Sequence, residues 1–426
     1  MPRVSGTRDI FGEEIRKINF LESKAREFFS KLGFEEIRTP ILEYSEIFQK
    51  SLGEGSEIIM HQMYVFEDKD GKEVALRPEG TAPSVRFYIE NLMNKKPRAK
   101  LLYIGPMFRR ERPQRGRFRQ FHQIGCEMFG FDSPESDFYL ISVLSFFLKE
   151  VGVEHKIDIN SVGCPICRPK YSQKLKEFFS NKPICTDCQV RLKINPLRIL
   201  DCKKDIQIVK EAPDIREFLC EKCSSSLKNV VDNLKKYNIK FEENPKIVRG
   251  LEYYTGVVFE VFFPEDNLAI AAGGRYDLLV ESMGGNPTPA LGFAIGTERL
   301  ANILMKKIKE EEKRDGVFIC YTQEGKEKAF EFFTKIISDL KKFENIQKEG
   351  NEKILYELIN EIKSGRIDIS VEGQKSLKSQ IRYADSQNFK FIIIFGKEEV
   401  MNNSFSLKKL ESSEQIMISI KEFIKS

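Results

Sequence analysis

The chain has 426 residues, of which 41% are hydrophobic, and this length predicts two or three domains with a sizeable core. No run of about eighteen apolar residues occurs, so no membrane span is expected. Because the first residues also lack the apolar stretch of a signal peptide, we expect a cytoplasmic protein. The formal net charge of +5 permits a nucleic-acid partner without arguing for one.

The first 313 residues contain elements typical of a mixed sheet with helices. Apolar spacing and turn residues predict, in chain order, a helix at 13–32 that ends at Gly33, a short strand before Pro40, strands at 101–108 and 121–130, a strand at 256–263 and a helix at 297–309. The strands at 101–108 and 121–130 enclose a loop too charged to be buried. They therefore predict an antiparallel hairpin with a long arm.

Two further regions differ in character. Residues from about 161 to 245 are rich in cysteine and in short helical runs, and we interpret them as an insertion into the first domain. After Lys313 the pattern predicts a strand at 316–321, a helix, a helical run at 352–363, a strand at 366–371, a helix at 377–384 and a strand at 389–395. This alternation predicts a small three-layer α/β domain.

The densest chemical signal is the stretch 109–119, which contains six arginines. Guanidinium groups bind phosphate oxygens bidentately and stay charged, so a cluster whose members repel one another predicts a polyanionic ligand. A solvated charged loop is the alternative interpretation. Gln123 and Glu127 alternate onto one face of the following strand, which favours a substrate pocket beside the arm.

Four other segments combine polar and small residues in patterns typical of ligand sites. They are Arg77–Pro83, with a carboxylate and a hydroxyl held by Pro and Gly; Arg249–Gly256, with a cation beside two phenols; Ala272–Asp277, whose glycines allow close backbone approach; and Gly292–Leu300, a small-residue strand leading into a helix that presents Arg299. Taken alone, the first is better explained by a turn with a helix-capping Thr.

In this order, the five segments resemble the signature set of the histidyl-tRNA synthetases, a family of class II aminoacyl-tRNA synthetases. Pro40 with the helix before it resembles the dimer-forming motif 1, while residues 109–127 resemble motif 2 and Gly292–Leu300 resembles motif 3. Arg249–Tyr254 and Ala272–Asp277 resemble the two peptides particular to the histidine enzymes. The two histidine-specific peptides make the resemblance specific, because the other motifs are generic for class II.

The resemblance extends from Ser5–Asp9 to Ser376–Asp385 and so covers nearly the whole chain. It implies an α+β catalytic domain with the antiparallel class II synthetase sheet over residues 1–313, interrupted at about 161–245 by a small, Cys-rich and mostly helical insertion. A C-terminal three-layer α/β anticodon-binding domain is implied over residues 314–426. A homodimer that does not associate with a membrane is also expected.

The family's reaction implies ATP with Mg²⁺, L-histidine and tRNA(His) as ligands. Histidine attacks the α-phosphate of ATP, giving histidyl-adenylate and pyrophosphate, and the terminal ribose of the tRNA then takes the histidyl group. On this resemblance the ATP-binding residues are Arg109, Glu111, Arg117, Phe118, Arg249 and Arg299, with Arg109 and Arg249 as the catalytic residues at the α-phosphate. The candidates for contact with the tRNA acceptor end are Arg112, Gln114 and Arg119.

The resemblance also implies which residues select the amino acid. Glu79, Thr81 and Gln123 suit the α-ammonium group, Glu127, Tyr254 and Tyr276 suit the imidazole, and Gly80 and Tyr253 complete the predicted set. Each imidazole nitrogen needs its own donor or acceptor. A pocket that satisfies both nitrogens rejects analogues by large factors, so no editing domain is expected.

Three Cys-x-x-Cys pairs lie in the insertion, and in a cytoplasmic chain such pairs indicate metal binding or reduced thiols rather than disulfides. The predicted four-thiolate zinc site consists of Cys185, Cys188, Cys220 and Cys223, with Cys164 and Cys167 as competitors or as another half-site. Reduced thiols in a poorly cored insertion are the alternative. Cys126 and Cys320 lie in predicted strands and are expected in the core.

Two other functions compete with this interpretation. A catalytically silent, synthetase-like regulatory subunit of the first enzyme of histidine biosynthesis would be expected to lack the anticodon domain and part of the motif 2 and Arg249–Tyr254 sets, all of which this chain keeps. A nucleic-acid-binding module would leave Glu79, Gln123 and Glu127 without a purpose.

The chain departs from the family's pattern at three places. Glu252 stands where Asp is more usual, and Phe118 stands where Tyr is frequent. The segment between residues 321 and 366 is longer than usual by about one helix. This last departure affects the detail of anticodon recognition rather than the activity.

Arg249→Ala is expected to retain histidine binding but to lose activation, because the resemblance places this guanidinium where charge develops on the α-phosphate. Removing one such group typically costs about 3–4 kcal/mol of barrier, or roughly a few hundredfold in rate. ATP–pyrophosphate exchange measures the loss. Normal exchange by the variant would contradict the assigned role.

Overall fold

The computed structural model describes residues 1–53, 56, 58–111, 117–248, 251–307, 314–338, 353–371, 375–412 and 414–425. The predicted site residues Arg112, Gln114 and Arg249 lie outside the described residues, as does much of the lengthened segment after residue 321. Backbone contacts divide the chain into two units, Met1–Ile308 and Lys309–Ser426. No helix in the described part of the chain is long and apolar enough to cross a membrane.

The first unit contains strands of three to ten residues. They are β1 (Glu35–Ile37), β2 (Leu42–Tyr44), β3 (Tyr64–Glu67), β4 (Glu73–Leu76), β5 (Ala99–Phe108), β6 (Gln120–Phe129), β7 (Lys156–Ser161), β8 (Phe241–Glu243), β9 (Val257–Phe263), β10 (Leu268–Arg275) and β11 (Ala290–Gly296). Strands β2, β4 and β3 form a small antiparallel sheet of their own.

The same unit contains ten helices within its described residues. They are α1 (Gly12–Lys31), α2 (Ser45–Leu52), α3 (Thr81–Asn91), α4 (Pro134–Glu150), α5 (Cys167–Phe179), α6 (Thr186–Ile194), α7 (Ile206–Lys210), α8 (Glu221–Lys236), α9 (Leu279–Ser282) and α10 (Thr297–Lys307). Short helical turns occur at Ile58–Gln62, Pro196–Asp201 and Ile215–Phe218. Between β7 and β8 the chain forms α5 to α8 and the last two of these turns.

Eight strands form the main sheet in the order β1-β5-β6-β11-β10-β9-β7-β8. The outer pairs β1–β5 and β7–β8 are parallel, and the other neighbours are antiparallel. Strands β5 and β6 pair antiparallel along their whole length, with Tyr103 opposite Gly125 and Gly105 opposite Gln123. The predicted hairpin at 101–108 and 121–130 is therefore confirmed.

The two faces of the main sheet are covered differently. Because side chains alternate along a strand, β6 sends Ile124, Cys126 and Met128 to one face, where helices α1, α4, α8 and α10 bury them in the largest core. Gln123 and Glu127 belong to the opposite face, where Tyr103 and Tyr276 lie in a second core with α2 and α3. This second face carries the cavity described below.

The second unit is a five-stranded sheet with helices on both faces. Its elements are β12 (Asp315–Tyr321), α11 (Lys326–Ser338), α12 (Lys353–Ser364), β13 (Ile367–Ile369), α13 (Leu377–Ser386), β14 (Phe389–Phe395), α14 (Lys397–Met401), β15 (Ser404–Lys409), β16 (Gln415–Ser419) and α15 (Ile420–Lys425), with strand order β13-β12-β14-β15-β16. Phe332 and Leu358 lie in the core on one face, and Phe318 and Ala384 lie in the core on the other. The layers are therefore helix, sheet and helix.

Candidate active site

The second face of the main sheet holds a cavity of about 360 Å³, a size typical of small-molecule sites. The predicted site residues that line it are Glu79, Thr81, Arg109, Glu111, Arg117, Phe118, Gln123, Tyr253, Tyr254 and Arg299. These residues come from segments that are far apart in the sequence. The fold thus brings together most of the predicted site residues that are described.

Glu79 is fixed at the N-terminus of α3. Its carboxylate accepts hydrogen bonds from the backbone N–H groups of Thr81 (2.7 Å) and Ala82 (2.8 Å), which belong to the first turn of the helix. Such N–H groups have no partner within a helix, and a carboxylate satisfies them. Burial raises the pKa of Glu79, although these hydrogen bonds oppose the rise.

Glu127 lies behind the cavity wall with no exposed surface. Its Oε1 accepts a hydrogen bond from the Thr81 hydroxyl at 2.8 Å, and its Oε2 accepts one from the Tyr276 hydroxyl. Burial raises the pKa of Glu127 to about 8, despite the lowering effect of these two hydrogen bonds. The network links residues predicted for the α-ammonium group to residues predicted for the imidazole.

Two glycines make room for this network. A Cβ atom on Gly292 would lie 1.6 Å from Oε2 of Glu127, and one on Gly80 would lie 2.2 Å from the ring of Tyr103. No side chain fits at either distance. The small residues of the motif 3 strand therefore leave space for a buried carboxylate, and Gly80 leaves space for an aromatic ring.

Among the buried polar atoms of residues that line the cavity, Oε1 of Gln123 and the hydroxyl of Tyr103 have no hydrogen-bond partner among the described residues. Buried polar groups are almost always satisfied, so such atoms indicate a ligand. The sequence prediction missed Tyr103, which looks like an ordinary apolar strand position. The available signal was the glycine opposite it in the hairpin, Gly125.

Three arginines give the cavity a cationic wall. Arg109 donates from Nε to the carbonyl of Pro78 at 2.9 Å, and Arg117 donates from Nη1 to Oε2 of Glu111 at 3.3 Å. Burial lowers the pKa of Arg299, and the charges of Arg117 and Arg109 lower it further. Burial also lowers the pKa of Arg109. These cations destabilise one another, and a bound anion would relieve the repulsion.

The start of the chain supports the arginine-rich arm. The Arg8 guanidinium stacks 4.0 Å from the centroid of the Phe118 ring, and Arg8 Nη1 also donates to Oε2 of Glu14 at 2.7 Å. The backbone N–H of Arg119 donates to the carbonyl of Gly6 at 2.8 Å. Arg119 does not line the cavity, whereas Phe118 does.

The two histidine-type peptides contribute tyrosines and a structural ion pair. The ring centroid of Tyr253 lies 4.7 Å from that of Tyr254 and 5.6 Å from that of Tyr276. Arg275, the neighbour of Tyr276, is buried in an ion pair with Asp137 at 2.6 Å. This pair holds the end of β10 against α4, so Arg275 belongs to the scaffold rather than to the cavity.

Other residues of the site were not predicted. Arg198, from the turn Pro196–Asp201 of the insertion, lines the cavity, as do Glu260 and Glu298. Glu298 accepts hydrogen bonds from the backbone N–H (2.9 Å) and from Nδ1 (2.8 Å) of His122, a contact that ties α10 to β6 and raises the pKa of His122. His122 thus has a charged partner.

The cysteines of the insertion form two clusters, and the predicted grouping of Cys185, Cys188, Cys220 and Cys223 is wrong. The clusters are Cys164, Cys167, Cys220 and Cys223, and separately Cys185, Cys188, Cys202 and Asp205. The reason is tertiary packing: α8 packs against β7, so the start of α8 returns to the end of β7 and Cys220 meets Cys164. Cys126 and Cys320 are fully buried in strands, as predicted.

The chain matches known proteins along almost its whole length. A family model described as histidyl-tRNA synthetase matches residues 6–165 and 192–300, and a model described as anticodon binding domain matches residues 317–426. The chain belongs to the histidyl-tRNA synthetase family. The predicted family and its pairing of a catalytic unit with an anticodon-binding unit are thereby confirmed.

Individual relatives and structures agree. Histidine–tRNA ligases from Thermosipho melanesiensis and Thermodesulfovibrio yellowstonii are 40% and 42% identical to this chain, and each alignment covers 98% of the chain and 96% of the relative. The structure of apo histidyl-tRNA synthetase from S. aureus aligns with a TM-score of 0.77 and 30% identity, covering 100% of this chain and 99% of that one.

Gly292→Ala is expected to raise the KM for histidine roughly 5- to 100-fold, because the added methyl group displaces Glu127 and overpacking typically costs about 1–3 kcal/mol. Steady-state kinetics with histidine and with ATP measure the effect. Gly296→Ala on the same strand is the control, since its methyl group would make only ordinary contact with Arg299 at 3.4 Å. An unchanged histidine KM in Gly292→Ala would contradict the role given to the glycine.

Proposed function

We propose that the chain activates L-histidine with ATP and transfers it to the 3′ end of tRNA(His). Family membership gives the reaction class. The observation that supports the assignment of the cavity is that acidic and amide side chains line it together with a wall of three arginines. A zwitterionic amino acid and a polyanionic nucleotide are the two ligands that such a cavity suits.

The α-ammonium group of histidine binds at the N-terminus of α3. Oε1 of Gln123 accepts one of its hydrogen bonds, because this buried atom has no other partner among the described residues. Glu79 supplies the negative charge, and the Thr81 hydroxyl supplies a further acceptor. Gly80 lets this turn pack against Tyr103.

The imidazole binds between Glu127 and the tyrosines. A carboxylate has about four lone-pair positions, and Glu127 uses two for Thr81 and Tyr276, so an imidazole N–H has an acceptor. Tyr254 binds the second imidazole nitrogen, and the ring of Tyr253 packs against those of Tyr254 and Tyr276. Two different partners for the two nitrogens distinguish histidine from apolar rings of similar size.

The nucleotide binds along the arginine wall, where Arg109 holds the α-phosphate and Arg117 and Arg299 hold the outer phosphates. Phe118 belongs to the arm that covers the nucleotide, with Glu111 on the adenine side. On the resemblance alone, Arg249 is assigned to the α-phosphate. Arg112 and Gln114 are assigned on the same basis to the tRNA acceptor end. Arg119, which lies outside the cavity, is assigned to that end as well. Fixed cations suit phosphoryl chemistry, which depends mainly on positioning and charge stabilisation.

Mg²⁺ accompanies ATP and neutralises part of the phosphate charge. The ion prefers oxygen ligands, usually one or two carboxylates together with phosphate oxygens. Glu260 lines the cavity and is a suitable carboxylate. The donor set therefore fits the nucleotide as its magnesium complex.

The protein acts as a cytoplasmic homodimer, with a catalytic domain at residues 1–313 and an anticodon-binding domain at 314–426. Support for the dimer comes from the small sheet after Pro40, one face of which carries Leu42, Tyr44, Tyr64, Phe66, Val74 and Leu76. Leu42, Tyr44 and Phe66 are each about half exposed. An apolar face of this kind marks an interface, and its place beside motif 1 favours a second copy of the chain.

ATP–pyrophosphate exchange over a panel of amino acids tests the proposal. Exchange that requires histidine is expected, and histidine-independent or absent exchange would overturn it. Within the same assay, Gln123→Ala should raise the histidine KM roughly 10- to 100-fold, because a hydrogen bond to a charged group contributes about 1.5–3 kcal/mol. Gln120→Ala, on the same strand but exposed, is the matched control.

Histidine affinity is expected to be greatest between about pH 6.5 and pH 8. In that window free Glu127, with its pKa near 8, holds a proton, and the imidazole, with an ordinary pKa of about 6.5, holds none. The bound pair shares that one proton. Above pH 8 free Glu127 has lost its proton, so histidine binding takes one up from solution. Below pH 6.5 the free imidazole is protonated as well, so binding releases one proton. The affinity for histidine therefore falls about tenfold per pH unit on each side of the window.

Isothermal titration with histidine alone, from pH 6 to pH 9, measures this profile. In Glu127→Gln the loss of histidine affinity above pH 8 that is caused by Glu127 is expected to disappear. Any loss caused by titration of the ligand's own ammonium group remains in both proteins. The difference between the two pH profiles therefore reports Glu127 alone. Glu79, Tyr103 and Tyr276 also face this carboxylate and are present in both. Identical alkaline profiles in the two proteins would exclude the shared proton.

A further inference from the structure

We propose that the insertion is a two-zinc domain, with one zinc ion held by Cys164, Cys167, Cys220 and Cys223 and a second held by Cys185, Cys188, Cys202 and Asp205. This inference does not depend on the proposed catalytic roles. The stretch between residues 166 and 191, which supplies Cys167, Cys185 and Cys188, falls in the gap between the two parts of the matched family model.

The first cluster has the dimensions of a four-thiolate site. The Sγ atom of Cys164 lies 3.6 Å from that of Cys167 and 3.8 Å from that of Cys220, and the four Sγ atoms all lie within 4.8 Å of one another. With zinc–sulfur bonds of about 2.3 Å, the edge of a regular tetrahedron is about 3.8 Å. The separations of 3.6 Å and 3.8 Å therefore match those of a tetrahedral zinc site, and the other thiols lie close enough to complete it.

Backbone geometry supports the same cluster. The N–H of Cys220 donates to Sγ of Cys167 at 3.1 Å, a contact that stabilises a thiolate. Gly163 has a positive φ of 69°, and a Cβ atom there would lie 2.7 Å from Cβ of Cys167. Glycine is thus required for Cys164 and Cys167 to close the turn.

The second cluster has three thiols and one carboxylate. The Sγ atoms of Cys185 and Cys202 are 3.8 Å apart, and Sγ of Cys202 lies 3.5 Å from Oδ2 of Asp205. That oxygen also accepts a hydrogen bond from the N–H of Cys185 at 3.0 Å. Cys188 and Cys202 are buried, and Cys185 and Asp205 are partly exposed, which leaves a path for the ion. Sulfur-rich tetrahedral sets of this kind select zinc.

The small core of the insertion gives the metal a structural purpose. Its buried residues include two of the cysteines themselves, Cys188 and Cys202, together with a few aromatic and aliphatic side chains such as Tyr171 and Ile199. Small domains of this size rarely stabilise themselves by apolar burial alone and commonly add a metal. Each Cys-x-x-Cys pair also begins a helix, at α5, α6 and α8, where the helix dipole favours thiolates.

The two ions would hold the insertion against the active site. The two residues before Cys164 form backbone hydrogen bonds with Gly256: the N–H of Val162 donates to its carbonyl, and its N–H donates to the carbonyl of Gly163. In addition, Nη1 of Arg168 donates to the carbonyl of Glu252 at 3.2 Å. The second cluster closes the loop that contains Pro196–Asp201, the turn that places Arg198 in the cavity. The first metal site therefore fixes the cavity wall formed by the loop of Tyr253 and Tyr254. The second fixes the wall formed by the turn Pro196–Asp201 of the insertion.

Metal analysis of the full-length protein, purified without a polyhistidine tag, tests the inference. Two zinc ions per chain are expected, released together when an organomercurial modifies the thiols in the presence of a zinc-binding dye. The wild-type protein suffices for this measurement, so it does not depend on whether a variant folds. Fewer than two zinc ions, or iron in their place, would overturn the assignment.

Cadmium-113 substitution separates the two sites. Two resonances are expected, with the four-thiolate ion further downfield than the ion bound by three thiolates and a carboxylate. Asp205→Asn should shift only the second resonance and speed zinc loss from that site to a chelator at least about tenfold. Asp187→Asn is the matched control, because this exposed carboxylate lies between Cys185 and Cys188 and pairs with Lys204. A shift in the control but not in Asp205→Asn would contradict the ligand set.

Discussion

Glu127 has no exposed surface, yet both of its carboxylate oxygens accept hydrogen bonds, one from Thr81 and one from Tyr276. A carboxylate removed from water is tolerated only where its lone pairs are satisfied, so this group fixes the elements around it. It ties the start of α3 to β6 and to the segment after β10. Gly292 is required for the same reason, because any side chain there would occupy the carboxylate's position.

The cavity is lined by groups of both charges. Glu79 lines it close to the buried Glu127, to which it is linked through Thr81, whereas Arg109, Arg117 and Arg299 supply positive charge. In the proposed function, histidine held by its ammonium group at Glu79 presents its carboxylate toward the arginines. The same arginines would attract the α-phosphate, so the field of the protein would bring the attacking oxygen and the phosphorus together before any bond forms.

The sequence predicted the parts of this structure that depend on local pattern. Apolar periodicity located α1, the β5–β6 hairpin and the alternation of the second unit, and the cluster of arginines located one wall of the cavity. Residues whose role depends on long-range packing were missed. Tyr103 has the appearance of a core residue until Gly80 and Gly125 are placed beside it, and the cysteines were grouped wrongly because tertiary packing of α8 brings Cys220 to Cys164.

Glu252 shows how the insertion and the catalytic loop depend on each other. Its Oε1 accepts a hydrogen bond from Nδ2 of Asn195 at 3.0 Å, and its Oε2 lies where a Cβ atom on Gly53 would meet it at 2.3 Å. The aspartate more usual in the family is one methylene shorter and would not span the same distance from the same backbone. The longer side chain therefore connects the loop of Tyr253 and Tyr254 to the turn that carries Arg198. In the sequence, glutamate at position 252 is a minor departure from the family's pattern. In the fold, its side chain joins the two cavity walls formed by this loop and this turn.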